Sequence, residues 1–271
     1  MFVVKVPGID GLGKTNGCEK AGNAILKSLY DIKVNEQGKK VDVKSLDLEE
    51  IHLDNSNLEF TNELIYENSK EMFETKERTI FLGGDHSVSY SLVKAFLDYC
   101  AENKQLPFLI VFDAHADCLE TLQKPKRKFP EHRGWLREII ELGFPSQNIL
   151  IVGARAFQES ELDFLRAKKI QILNLNNVVE DIQEMGDIIT EFSRGKNLYV
   201  SVDLDVLDRV FAPGTSYPEN SGFSSREFVY LLQRVNKIKN LRAIDLVNIN
   251  LNLDKTQETV NLAAKILSEI I

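Results

Sequence analysis

Eight short, nearly all-apolar runs alternate along this chain with eight longer stretches whose apolar residues recur every three or four positions. The short runs are Phe2–Val6, Val41–Leu46, Thr79–Leu82, Phe108–Phe112, Asn148–Val152, Ile170–Leu173, Leu198–Val202 and Leu241–Val247. Unbroken rather than alternating hydrophobicity is expected of strands covered on both faces. The amphipathic stretches are Glu19–Tyr30, Thr61–Thr75, Tyr90–Asn103, Gly134–Leu142, Glu159–Ala167, Val178–Ser193, Ser225–Lys237 and Lys255–Ile271. Ser224, followed three residues on by Glu227, offers a helix N-cap. Strict alternation predicts an α/β fold, with a mostly parallel sheet and helices on both faces. Ligands of such sheets sit beyond the carboxyl ends of the strands, so polar residues just after a strand are the ones to weigh.

Composition narrows the partners. The 271 residues carry a formal net charge of −8, which argues against nucleic acid or an anionic membrane. Leu106–Phe112, the longest apolar run, contains a proline and is far short of the ~20 residues a bilayer requires. Met1–Val6 followed by Pro7-Gly8 is too short for a secretory leader. Three cysteines without metal-type spacing suggest a reducing, cytoplasmic setting. No linker-like segment interrupts the chain, so residues 1–271 are expected to form a single domain.

Three segments with chemistry end predicted strands: Gly83-Gly84-Asp85-His86-Ser87, Asp113-Ala114-His115-Ala116-Asp117, and Ser201-Val202-Asp203-Leu204-Asp205 with Asp208 beyond. In an extended segment a period of two points Asp113, His115 and Asp117 the same way, and Asp203 and Asp205 repeat the spacing. Carboxylates clustered at the end of buried strands repel one another and lose hydration unless a cation joins them. Asp113, Asp117, Asp203 and Asp205 match two divalent ions in charge, and His86 and His115 complete the set. Oxygen-rich with some imidazole, it suits Mn²⁺, with Fe²⁺, Co²⁺ or Ni²⁺ as alternatives. Two such ions about 3.5–4 Å apart activate water, which points to hydrolysis.

These three segments, in this order, resemble the signatures of the arginase/agmatinase (ureohydrolase) family, and Ala212-Pro213-Gly214-Thr215 continues the third. Gly17-Cys18-Glu19-Lys20-Ala21-Gly22 is more weakly similar to the family's N-terminal segment. The resemblance implies a three-layer α/β/α sandwich with an eight-stranded sheet and a binuclear manganese site. His86 and Asp117 would complete the first ion and His115 and Asp205 the second, with Asp113 and Asp203 bridging. A bridging hydroxide would attack a guanidino or amidino carbon, releasing urea and an amine. Asp117 thus counts among the catalytic residues as well as the ligands. His132-Arg133-Gly134-Trp135-Leu136-Arg137 looks like the family stretch whose histidine lines the pocket and shuttles protons. His132 is therefore both a catalytic and a substrate-binding candidate, whereas His52 has no such context and reads as a surface residue.

The chain also departs from the family pattern. Asn248 stands where the family's glutamate meets the substrate guanidinium, and an amide cannot give the charge-assisted bonds of a carboxylate. Leu119 replaces an asparagine of the arginase branch, which disfavours arginine as substrate. Arg209 replaces a proline, and Ser221-Gly222 a glycine pair. The basic run Lys124-Pro125-Lys126-Arg127-Lys128 reads as a solvated loop. The leading expectation is an agmatinase-like hydrolase of a small guanidino compound. The alternatives are a formimidoylglutamase-like amidine hydrolase and a metal-binding homologue without turnover. A homo-oligomer, trimer or hexamer, is implied by the resemblance alone.

Overall fold

The computed structural model describes residues 1–120, 129–176 and 181–271. Eight strands form one sheet: β1 (Phe2–Val6), β2 (Asp47–Glu50), β3 (Thr79–Gly83), β4 (Pro107–Phe112), β5 (Ile149–Val152), β6 (Gln171–Leu173), β7 (Asn197–Asp203) and β8 (Leu241–Val247). Every pairing between them is parallel, in the order β2-β1-β3-β8-β7-β4-β5-β6. Between and after them run α1 (Ala21–Leu29), α2 (Leu58–Thr75), α3 (Val88–Glu102), α4 (Trp135–Glu141), α5 (Glu159–Lys168), α6 (Ile182–Phe192), α7 (Ser225–Val235) and α8 (Glu258–Ile270).

The strands read as continuous apolar runs because both faces are buried. In β4, Ile110 and Phe112 join a core formed with α1, α6, α7 and α8, while Leu109 and Val111 join one formed with α2, α3 and α4. The α/β class and the three layers expected from sequence are those observed. Among the described residues no helix is long and apolar enough to cross a membrane. The expected start of the sixth helix, at Val178, and the basic run 124–128 lie outside the described residues.

One strand differs from expectation. Val41–Leu46 does not pair. Val41 and Val43 sink into the core from a turn in which the Asp42 side chain accepts from the Lys44 N–H, and the second strand is the acidic Asp47–Glu50. β2 is an edge strand hydrogen-bonded only to β1, so it needs little apolar surface, and its charges guard the open edge.

The chain order skips at the middle of the sheet: β3 leads through α3 to β4, leaving a gap later filled by β7 and β8. The polar segments after β3, β4, β7 and β8 therefore converge over four adjacent strands, where ligands of open α/β sheets bind.

Candidate functional site

His86, Asp113, His115, Asp117, Asp203 and Asp205 all lie at that convergence and line one cavity of 310 Å³ or its floor. They do not meet at one point, as a period of two would have it, but at two. Nδ1 of His86 stands 3.0 Å from Asp113 Oδ2, 2.9 Å from Asp117 Oδ2 and 3.3 Å from Asp203 Oδ2. Nδ1 of His115 stands 3.1 Å from Asp205 Oδ2 and 3.4 Å from Asp113 Oδ1. Asp113 thus offers one oxygen to each group.

The split has a local cause. β4 ends at Phe112, and beyond it the Asp113 carboxylate accepts the His115 N–H at 2.7 Å, while Asp117 takes a left-handed φ of 48°. A non-glycine residue held there is strained, a feature that gathers at functional sites. Asp203 repeats the first device by accepting the Asp205 N–H at 2.9 Å.

This donor set fits divalent ions. Ligands about 2.1 Å from one octahedral ion lie about 3 Å from each other, the spacing seen in both groups. His86 Nδ1 and Asp113 Oδ2 are buried and, among the described residues, have no hydrogen-bond partner, as expected of atoms turned toward a cation. The outer contacts orient them: Nε2 of His86 pairs with Ser201 Oγ at 3.0 Å, and Ser201 donates to the buried Asp245. The indole of Trp135 donates to Asp117 Oδ2 at 3.0 Å.

Electrostatics say the same. Burial favours a neutral His86 ring, but the close approach of the Asp113, Asp117 and Asp203 carboxylates outweighs it and holds its pKa well above the ordinary value. Burial is likewise outweighed at His115, where Asp205 and Asp113 push the ring up to about 12. Burial, then the charges of Asp203 and Asp113, lift Asp205 far above the carboxylate range. Positive charge is what this floor lacks.

His132 is buried, and so is Asn248; both line the cavity, as does Leu119. The Asn248 amide donates to Asp203 Oδ1 at 2.9 Å and Asp205 Oδ2 at 3.1 Å, and its carbonyl accepts the Ser216 N–H at 3.2 Å. Its φ of 67° is one that asparagine tolerates. His52 is exposed.

Sequence reading missed Asp10, Tyr217, Glu161 and Glu219. Tyr217, Glu161 and Glu219 line the cavity, and Asp10 touches His132. The rule that polar residues follow strands covers Asp10, four positions past β1, but it belongs to no motif. Arg155 is another. Its guanidinium donates to the carbonyls of Asp205, Val206, Leu207 and Glu219, tying the loops after β5 and β7 together under the site.

Fold and site together define an α/β protein built round an Asp/His floor suited to two ions. The chain belongs to the arginase family, whose model matches residues 2–271. A formimidoylglutamase of Halobacterium salinarum is 28% identical over 260 residues, spanning 94% of this chain and 81% of that protein. An agmatinase of Bacillus subtilis is 26% identical over 233 residues, spanning 85% and 75%. In fold, the crystal structure of a formimidoylglutamase from Bacillus subtilis superposes with a TM-score of 0.88 over 99% of this chain and 84% of that one, at 22% identity.

Proposed function

We propose that this chain hydrolyses a C–N bond in a small, cationic guanidino compound, agmatine-like, releasing urea and an amine. Two divalent ions, manganese first, would be held by His86 and Asp117 on one side and by His115 and Asp205 on the other. Asp113 and Asp203 would lie between. The carrying observation is that His86, Asp113 and Asp117, and Asp113, His115 and Asp205, form two adjoining groups at ligand spacing, with Asp203 3.3 Å from His86 and buried ligand atoms left without a partner among the described residues. Bound there, the ions would supply Lewis acidity and hydroxide near neutral pH.

The chain's own residues do the rest. His132 lines the cavity and its Nε2 has no hydrogen-bond partner among the described residues, which suits it to carry a proton to the departing amine. Two ions would offset the four aspartates, leaving, among the described residues, Glu161, Glu219 and Asp85 in the lining against one cation, Arg133. Such a lining favours a positively charged substrate over an acidic one. Leu119 offers no hydrogen bond to an amino-acid carboxylate, which disfavours arginine.

A second reading, a formimino substrate, is favoured by Asn248. Both ends of that amide are already engaged, and its uncharged oxygen, which accepts the Ser216 N–H, cannot give a guanidinium the charge-assisted bond of a carboxylate. A product screen over guanidino and formimino compounds with added Mn²⁺ decides. Urea from agmatine-like amines is expected; formamide alone would establish the second reading. No product from any compound, with metal bound, would leave a metal-binding homologue without turnover.

A further inference from the structure

The cavity's histidine is gripped by a carboxylate outside all three motifs. Asp10 lies in the loop after β1, which is drawn against the loop after β3 because Gly84 lets the two backbones touch. A Cβ at Gly84 would fall 1.8 Å from the Gly8 carbonyl oxygen. The Asp85 N–H donates to that carbonyl at 3.1 Å, and the Asp10 N–H donates to Asp85 Oδ2 at 2.8 Å. Thus fixed, Asp10 Oδ2 meets His132 Nδ1 at 2.8 Å and accepts the His132 backbone N–H at 2.9 Å. Its other oxygen accepts the Leu12 N–H at 2.8 Å and the Thr15 hydroxyl at 3.4 Å. From the loop after β7, Tyr217 stacks on the imidazole, with centroids 5.4 Å apart and planes 19° from parallel. Every constraint falls on one side of the ring or its face. Nε2, buried and without a partner among the described residues, is the nitrogen left over.

We propose that Asp10 is a positioning residue for proton transfer: it holds the proton of His132 on Nδ1, making Nε2 the atom that gives and takes a proton in the cavity. The inference rests on the proposed role of His132. A carboxylate on one nitrogen fixes the tautomer and favours the imidazolium, as in carboxylate–histidine pairs generally. The Nε2–H bond breaks as the N–H bond of the leaving amine forms. The imidazolium is thereby left as a neutral ring with Nδ1–H on Asp10, and the water consumed in hydrolysis returns the proton to Nε2. Asp10 itself exchanges no proton. Burial would raise its pKa, but the His132 contacts prevail and hold it at about 2.

The test is a double-mutant cycle with Asp10→Asn and His132→Asn in the Mn²⁺-loaded enzyme. Each single change is expected to lower kcat about 10²-fold, the usual reach of general acid–base help, with KM within about threefold. The double variant should be no slower than His132→Asn alone, because each change removes the same device. Losses that multiply, or wild-type kcat in Asp10→Asn, would overturn the proposal. Wild-type kcat in His132→Asn would instead bring down the role of His132 itself. A second readout needs neither variant turnover nor substrate. In the ¹⁵N NMR spectrum of histidine-labelled, Zn²⁺-loaded wild type, the His132 ring should carry its proton on Nδ1. A neutral ring protonated on Nε2 would overturn the proposal.

Discussion

Asn248 is a residue at which the sequence departs from the pattern expected of an arginase-like site. Its amide hydrogens point at two of the six expected ligands, so its first task is to orient Asp203 and Asp205. Residues placed this way typically contribute 10–100-fold to metal affinity. Asn248→Ala should therefore weaken Mn²⁺ binding about tenfold, read by isothermal titration; unchanged affinity would count against that role. Asn248→Glu tests the neighbouring question. A carboxylate in the cavity adds charge-assisted bonds to a guanidinium, so KM for guanidino substrates should fall severalfold. A constant KM would mean that position 248 does not face the substrate. The sequence singled out Asn248 but not what it touches, because Asp203 and Asp205 lie over 40 residues away along the chain.

At the scale of elements, turns and strand ends carry the site. Gly84→Ala would place a methyl group inside the Gly8 backbone, which cannot yield as a side chain can. A loss of about 3 kcal/mol or more is expected in urea denaturation, together with weakened metal binding as Asp85 and His86 shift. Ser224→Ala is the contrasting case. It removes the cap of α7, whose capping box with Glu227 is formed, and should cost about 1 kcal/mol without touching metal affinity. That box, the eight helices and seven of the eight strands were legible in sequence, because local periodicity and capping chemistry decide them. β2 was not. At an open edge pairing needs no apolar surface, so the apolar Val41 and Val43 misled where the charged Asp47–Glu50 pairs. Asp10 was equally illegible as a partner of His132, since 122 residues separate them and a glycine contact between two loops joins them.

At the scale of the molecule, the parallel sheet concentrates carboxylates where the fold must pay for them unless cations arrive. Burial and neighbouring charges raise the pKa of Asp205 and, through burial and Asp113, that of Asp117. Their folded carboxyls thus keep protons to higher pH than the unfolded chain does. In chelator-treated protein, stability should accordingly fall as pH climbs above about 4, the unfolded carboxyl value. Asp205→Asn should flatten that fall in thermal melts recorded across pH. A slope equal to that of the chelated wild type would show that the cluster is not strained. Saturating Mn²⁺ should raise the melting temperature of the wild type, because an ion bound only by the folded state stabilises it by about 2.7 kcal/mol at a hundred times its Kd. The three motifs made this floor legible in advance. Its division into two groups did not follow from residue spacing and was implied only by the family resemblance, because it depends on the turn at Asp113 and the left-handed Asp117.

The most direct measurement is the number of Mn²⁺ ions bound per chain, by equilibrium titration of metal-stripped protein followed by elemental analysis. Two ions per chain are expected in the wild type, and no more than one in His115→Ala. None or one in the wild type would contradict a two-ion centre, and with it the hydrolytic chemistry proposed for the cavity.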